Sequence, residues 1–275
     1  MATILRADRA LFRFSGADAH KLVNDVVTGH VPDKEGEAAS WALLSPQGKI
    51  LAEGLAVWRE DAVWLDTHLS VADDFFKRMR MYRLRAKVEI DDLRATHRVG
   101  FSREDLPGAA RDRLGPVQLG WQVIALLEDT ADWVEDDSAY HAIRIANGIL
   151  HQGNDFPAND AFAHDIGLDI LDGIDFVKGC YVGQEVVSRM KHRGTARRRP
   201  VIVSGIETAA AGSPIEAGGR DAGNIGQVVD GKALAILRLD RITDIEAARV
   251  DGKPVRLALP DWANYRFGEA GGEAE

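Results

Sequence analysis

Lys178-Gly179-Cys180-Tyr181-Val182-Gly183-Gln184-Glu185 is the stretch on which the reading of this 275-residue chain turns. Gly179 and Gly183 bracket the cysteine with flexible backbone. Gln184 and Glu185 suit the first turn of a short helix, Arg189, Lys191 and His192 suit its end, and Gly194 suits the position just past it. Cys180 is then expected just before a helix N-terminus, two residues after a lysine. Both features stabilise a thiolate, while Glu185 opposes it. The alternative is a small buried hydrophobe; the glycine, lysine and tyrosine neighbours favour a reactive thiol. Cys180 is the single cysteine, which excludes an internal disulfide and a self-contained four-cysteine metal or cluster site. No metal site is expected.

Upstream, residues 153–183 are dense in Gly, Asp and Asn and show no periodicity, as functional loops do. Downstream lies a basic run of Arg189, Lys191, Arg193, Arg197, Arg198 and Arg199. From Pro200 the texture changes to short apolar runs between glycine-rich turns, at 201–203, 225–229, 233–239 and 255–258. This predicts a small β-barrel or sandwich. The expected organisation is a first domain over 1–199, with room for two subdomains, a barrel over 200–267 and a disordered acidic tail over 268–275.

The first domain reads as α+β, with helices packed on antiparallel sheets. Ser15-Gly16-Ala17-Asp18 and Ser70-Val71-Ala72-Asp73 have capping-box spacing. Ala19, Leu22, Val23 and Val26 form one helical stripe; Ala72, Phe75, Phe76 and Met79 form another. Strands are expected over 39–44, 50–58 and 62–66, the first two joined by the turn Ser45-Pro46-Gln47-Gly48. Alternation predicts a further strand over 84–90, and the pattern of 99–127 ends in the alternating Val117, Leu119, Trp121 and Val123. A third helix is expected over 138–148, with Ala142, Ile145, Ala146 and Ile149 on its apolar face.

Composition sets outer limits. Hydrophobic residues make up 45 % and charged residues 28 %, ordinary for a globular chain. A net charge of −9 argues against general nucleic-acid binding. No apolar run approaches the ~18 residues of a membrane span, and the first residues lack a secretory pattern. A cytoplasmic protein that binds neither nucleic acid nor membrane is expected.

The stretch 178–185, followed by Arg189 and His192-Arg193-Gly194, resembles the signature of the YgfZ family. Arg144-Ile145-Ala146-x-Gly148-Ile149 and Leu168-Asp169 with Gly173-x-x-Phe176-x-Lys178 resemble the approach to it. Ser15-Gly16-x-Asp18-Ala19 and Leu44-x-Pro46-x-Gly48-Lys49-Ile50 resemble the wider aminomethyltransferase, or glycine-cleavage T-protein, superfamily. Gly226-x-Val228 and Ala233-Leu234-Ala235 are similar to its barrel domain. The resemblance implies a T-protein-like folate-binding fold with a C-terminal β-barrel, a reduced folate (tetrahydrofolate) as ligand, and work on iron–sulfur client or assembly proteins.

By the same resemblance, Cys180 and Lys178 are the expected chemical groups. Asp165, Tyr181, Gln184, Glu185, Arg193 and Glu53 are the expected folate contacts. A pterin ring presents adjacent N–H donors that a carboxylate accepts as a pair; Asp165 either does this or caps a local turn. The arginines near 189–199, with Arg83, Arg85 and Lys87, either form a rim for the folate glutamate or a solvated face. Departures from the family pattern matter too. The T-protein Asp pair is missing, with only Glu53 remaining in Leu51-Ala52-Glu53, and Ala163-His164-Asp165-Ile166-Gly167-Leu168 replaces Pro-x-Glu-x-Asn-Leu. The leading expectation is a folate-binding accessory factor in iron–sulfur assembly or repair. The alternatives are a folate-dependent one-carbon (aminomethyl) transferase and a non-catalytic interaction module, which leaves catalysis itself open.

Overall fold

The computed structural model describes residues 2–194 and 196–269. Its chain contacts divide it into two compact units, 1–140 with 171–184 and 141–170 with 185–275. Residues 171–184, which carry most of the signature, thus count with the first unit.

In the first unit the strands are β1 (Ile4–Leu5), β2 (Arg9–Ser15), β3 (Ala38–Leu44), β4 (Ile50–Arg59), β5 (Ala62–His68), β6 (Glu89–Asp92), β7 (His97–Ser102), β8 (Ala110–Leu114) and β9 (Val117–Leu126). Helix α1 (Ala19–Val26) follows β2, and α2 (Ala72–Arg83) follows β5. They form two antiparallel sheets, β3-β4-β5-β2-β6 and β1-β7-β9-β8. One face of the five-stranded sheet buries Phe12, Phe14, Trp41 and Leu43 against Val23 of α1 and Phe75 and Met79 of α2. Its other face packs Leu11 and Trp64 against Val99 and Ile124 of the second sheet. β2 is therefore covered on both sides, and cutting Phe12 to alanine is worth about 3–5 kcal/mol by the usual cost of a core aromatic.

The local rules are kept with exceptions that have causes. Both helices form where the stripes lie, yet neither uses a capping box. Ser15 belongs to β2, and Asp18 turns outward to accept the Lys87 amide at 2.8 Å. Ser70 is held by His68, and Asp73 by Arg94. The strand expected over 84–90 begins only at Glu89, because α2 runs on to Arg83 and the chain reverses at Leu84 (φ 45°), which stands 87 % exposed. On β9 the buried set passes from Val117 and Leu119 to Gln122 and Ile124 instead of Trp121 and Val123. A bulge against β8, between Asp112 and Arg113, moves the alternation by one residue.

In chain order the second part contains α3 (Ser138–Ala146), α4 (Gln184–Arg193) and strands β10 (Arg198–Ser204), β11 (Pro214–Ala217), β12 (Arg220–Asn224), β13 (Lys232–Arg238), β14 (Ala248–Val250), β15 (Lys253–Pro254) and β16 (Arg256–Ala258). The strands make two antiparallel sheets, β13-β10-β16 and β12-β11-β14-β15. Between them lie Val201, Val203, Ile215, Leu237, Val250 and Leu257. Residues 225–229 form isolated bridges only. On α3 the buried positions are Tyr140, His141, Arg144 and Ile145, while Ala146 is exposed; a buried arginine interrupts the expected apolar face. The tail expected over 268–275 lies, from residue 270 on, outside the described residues.

Candidate functional site

The signature segment is fastened to the first unit by short bonds. Thr28 Oγ1 donates to the Gly173 carbonyl at 2.7 Å and accepts the Ala42 amide at 3.0 Å. The Asp175 amide donates to the Thr28 carbonyl at 2.9 Å. Asp175 Oδ1 in turn accepts the amides of Val177 and Lys178, at 2.8 and 3.1 Å, which closes a tight turn. Lys178 Nζ then donates to two carbonyls, Asn24 at 2.8 Å and Gly29 at 2.6 Å. Asn24 lies in the last turn of α1, where carbonyls lack intrahelical partners and the helix dipole is negative. The lysine thus caps α1. Its ammonium stands 5.4 Å from the centre of the buried Tyr181 ring. Burial pushes the Lys178 ammonium down to about 8 against the pull of Asp175 and Asp25. Burial, helped by the Asp175 charge, pushes the Tyr181 phenol up to about 12.

Between these two anchors the chain is open. Cys180 is exposed, Val177 is 95 % exposed, and a Cβ on Gly179 would meet nothing within 4 Å. On the far side Gly183 has φ +83°, and a Cβ there would stand 2.8 Å from the Ser45 carbonyl in the turn after β3. The Gln184 amide donates to the Tyr181 carbonyl at 3.2 Å, and its side chain reaches the Gly179 carbonyl at 3.4 Å. The structure therefore brings Lys178, Cys180, Tyr181 and Gln184 onto one strap, with the thiol at its outer edge. Lys178, expected as a chemical partner of Cys180, is engaged as an anchor.

The other expected residues are placed differently. Glu53, on β4, sits 3.5 Å from Arg9 Nη1, and Arg9 Nε donates to Asp66 at 2.8 Å; Asp66 also accepts the Leu55 amide at 2.6 Å. In the second unit, buried Asp165 accepts the Phe162 amide at 3.0 Å and lies 3.8 Å from Arg198 Nε. Of its two expected roles, this is the turn cap. Arg198 pairs with Asp160 at 2.8 Å, and Arg199 grips Asp169 through two bonds of 2.7 and 3.0 Å. Glu185 pairs with Arg189 along the exposed side of α4, and Arg193 is exposed at its end. Asp165 thus serves its own turn, and Glu53 stands beside Arg9.

Arg144 enters the sequence reading only as part of the resemblance, with no role. Its side chain is fully buried, with Nη1 on Asp155 at 2.6 Å, Nη2 on Gln227 at 2.9 Å and Nε on His141 Nδ1 at 2.7 Å. The Gly226 backbone packs directly on Asp155, where a Cβ would meet Oδ1 at 2.4 Å. The available signal was an arginine at a position flanked by apolar residues in a helical run.

Residues 197–265 match the family model described as the CAF17 C-terminal beta-barrel domain. Among curated proteins, the chain is 27 % identical to the mouse mitochondrial iron–sulfur cluster assembly factor IBA57, over 94 % of this chain and 85 % of that one. The human protein of the same name gives 27 % over 92 % and 83 %. Against the IBA57 homolog of the fungus Mycosarcoma maydis, 27 % identity covers 71 % of this chain and 55 % of the relative, so the chain spans about half the length of that protein. Among solved structures, glycine cleavage system aminomethyltransferase T from Bartonella henselae superposes with a TM-score of 0.74 at 14 % identity, over 96 % of this chain and 87 % of that one. The chain thus has the fold of aminomethyltransferase T with helices on antiparallel sheets, matches the CAF17 C-terminal barrel model at residues 197–265, and is similar in sequence to proteins named iron–sulfur cluster assembly factor IBA57.

Proposed function

We propose that this protein is an accessory factor of iron–sulfur protein assembly or repair, of the YgfZ type, that offers Cys180 to a client or assembly protein in a reducing compartment such as the cytoplasm. The observation that carries this reading is the exposed thiol on a strap anchored at both ends. Its support from outside is the similarity to proteins named as iron–sulfur cluster assembly factors. A cluster takes about four cysteine ligands, so one thiolate serves as a transient ligand while the partner supplies the others. The rigid anchoring keeps the thiol in a defined place at little entropic cost on docking.

A reduced folate is the ligand we propose with it, on the sequence resemblance to the T-protein superfamily. No step is routed through it, because the two carboxylates nominated for the pterin are engaged elsewhere. The Arg9–Glu53 pair likewise counts against aminomethyl transfer, since the one acid left where T-proteins carry a pair is held by a guanidinium. The test is a strain deleted for the gene, assayed for several iron–sulfur enzymes and complemented with wild type or Cys180→Ser. Restoration by wild type alone is expected; full restoration by Cys180→Ser would sink the reading.

A further inference from the structure

A second feature of the first unit stands apart from the strap. Where the start of β2 packs on β7, a cavity of about 300 Å³ opens. Among the described residues its wall includes Arg6, Arg9, Arg94, His97 and Arg98, and no carboxylate. The acids that hold these guanidiniums do so from outside the wall: Asp8 on Arg6, Asp66 and Glu53 on Arg9, and Asp92 and Asp73 on Arg94.

One guanidinium is left over. Arg98 Nη1 is held by the carbonyls of Arg94 and His97, both at 2.8 Å, and among the described residues the Arg98 guanidinium has no carboxylate partner. Arg9 Nη1, by contrast, is buried and faces Glu53 at 3.5 Å. The rest of the wall is apolar, with Leu11, Leu69 and Val99. His97 adds no charge of its own, since burial, with Arg59 beside it, pushes its imidazole below the usual value.

We propose that this cavity is a binding site for a small organic anion. A carboxylate or phosphate head is received by Arg98, and a short apolar body lies against Leu11, Leu69 and Val99. The guanidinium fork suits either head group. The site uses none of the residues 171–184 and is independent of the proposed role of Cys180.

The test is calorimetry on the full chain at fixed ionic strength, since surface attraction is screened by salt. The probes are benzoate, phenyl phosphate, inorganic phosphate and uncharged benzyl alcohol. Saturable one-site binding of benzoate or phenyl phosphate is expected, and the arm that binds identifies the head group. That binding should be tighter than for inorganic phosphate, with none for benzyl alcohol. Arg98→Gln should weaken it about tenfold or more, the usual consequence of losing a charge-assisted bond. Leu69→Glu, at a position already 49 % exposed, should weaken it similarly by repulsion and guards against a folding defect in the first variant. No saturable binding of either organic anion, or equal binding by wild type and both variants, would overturn the proposal.

Discussion

Replacing Lys178 with methionine separates an anchoring lysine from a reacting one. The side chain keeps its length and apolar stem but loses both bonds from Nζ, to Asn24 at 2.8 Å and Gly29 at 2.6 Å. Bonds from a charged donor are worth about 1.5–3 kcal/mol each, so the gross loss is about 3–6 kcal/mol. Against this stands the relief of not burying an ammonium, the burial that holds its pKa down to about 8. A net loss of about 2 kcal/mol is expected, or about 4–8 °C in Tm for a chain of this size. Urea unfolding gives the magnitude, and amide exchange of residues 24–29 and 173–178 gives the place. Cys180→Ala, which removes an exposed group, should stay within about 0.5 kcal/mol of wild type. The pH dependence supplies a second readout. Between pH of about 8 and 10.5 the folded protein binds fewer protons at Lys178 than the unfolded chain, so this group's share of stability rises with pH there, and Lys178→Met should flatten that rise. Stability of Lys178→Met within about 0.5 kcal/mol of wild type, with unchanged exchange at both segments, would refute the anchor.

Gly183→Ala forces an L side chain to φ +83° and a Cβ to 2.8 Å from the Ser45 carbonyl; a loss of about 1–2 kcal/mol or more in denaturant unfolding is expected, and a neutral result would mean that the turn yields freely. Buried His164 is pushed below the usual imidazole value by burial, with Arg199 and Lys191 adding and Asp169 opposing. Its neutral form therefore favours folding near neutrality, and stability should fall as pH drops through the unfolded value of about 6.5, a slope that His164→Gln should reduce and that a pH series of urea midpoints measures. Purified anaerobically in thiol-free buffer, the isolated chain should hold no stoichiometric iron and sulfide, because a single cysteine falls short of the usual ligand set; clusters surviving gel filtration would contradict this.

What the sequence made legible follows from how local each cause is. α1 and α2 carry their own apolar stripes, α2 and α4 carry acids at their starts and bases at their ends, and the hairpin of β3 and β4 carries its own turn, so neighbours in sequence were enough. β2 is missing from the sequence reading although Arg9–Ser15 is an internal strand of the five-stranded sheet, between β5 and β6. A strand buried on both faces shows no clean alternation, and Phe12, Phe14 and Leu11 face opposite cores. The bulge that moves the buried set on β9 depends on pairing with β8, which no single strand announces.

The site divides along the same line. The exposure of Cys180 and the helix that follows could be read from Gly179, Gly183 and the charges of residues 184–193, all within one turn or two of the thiol. The role of Lys178 could not, because its two acceptors stand 154 and 149 residues away in sequence. The partners of the carboxylates were hidden for the same reason. Asp165 and Glu53 were nominated by what a ligand would want, whereas their partners, the amide of Phe162 and the guanidinium of Arg9, were decided by where a turn and a neighbouring strand placed them. A motif therefore locates a reactive group more surely than it assigns the charged residues around it. A charged residue in a folded interior answers first to the nearest buried opposite charge or open backbone bond, since leaving either unmet costs more than most ligand contacts return.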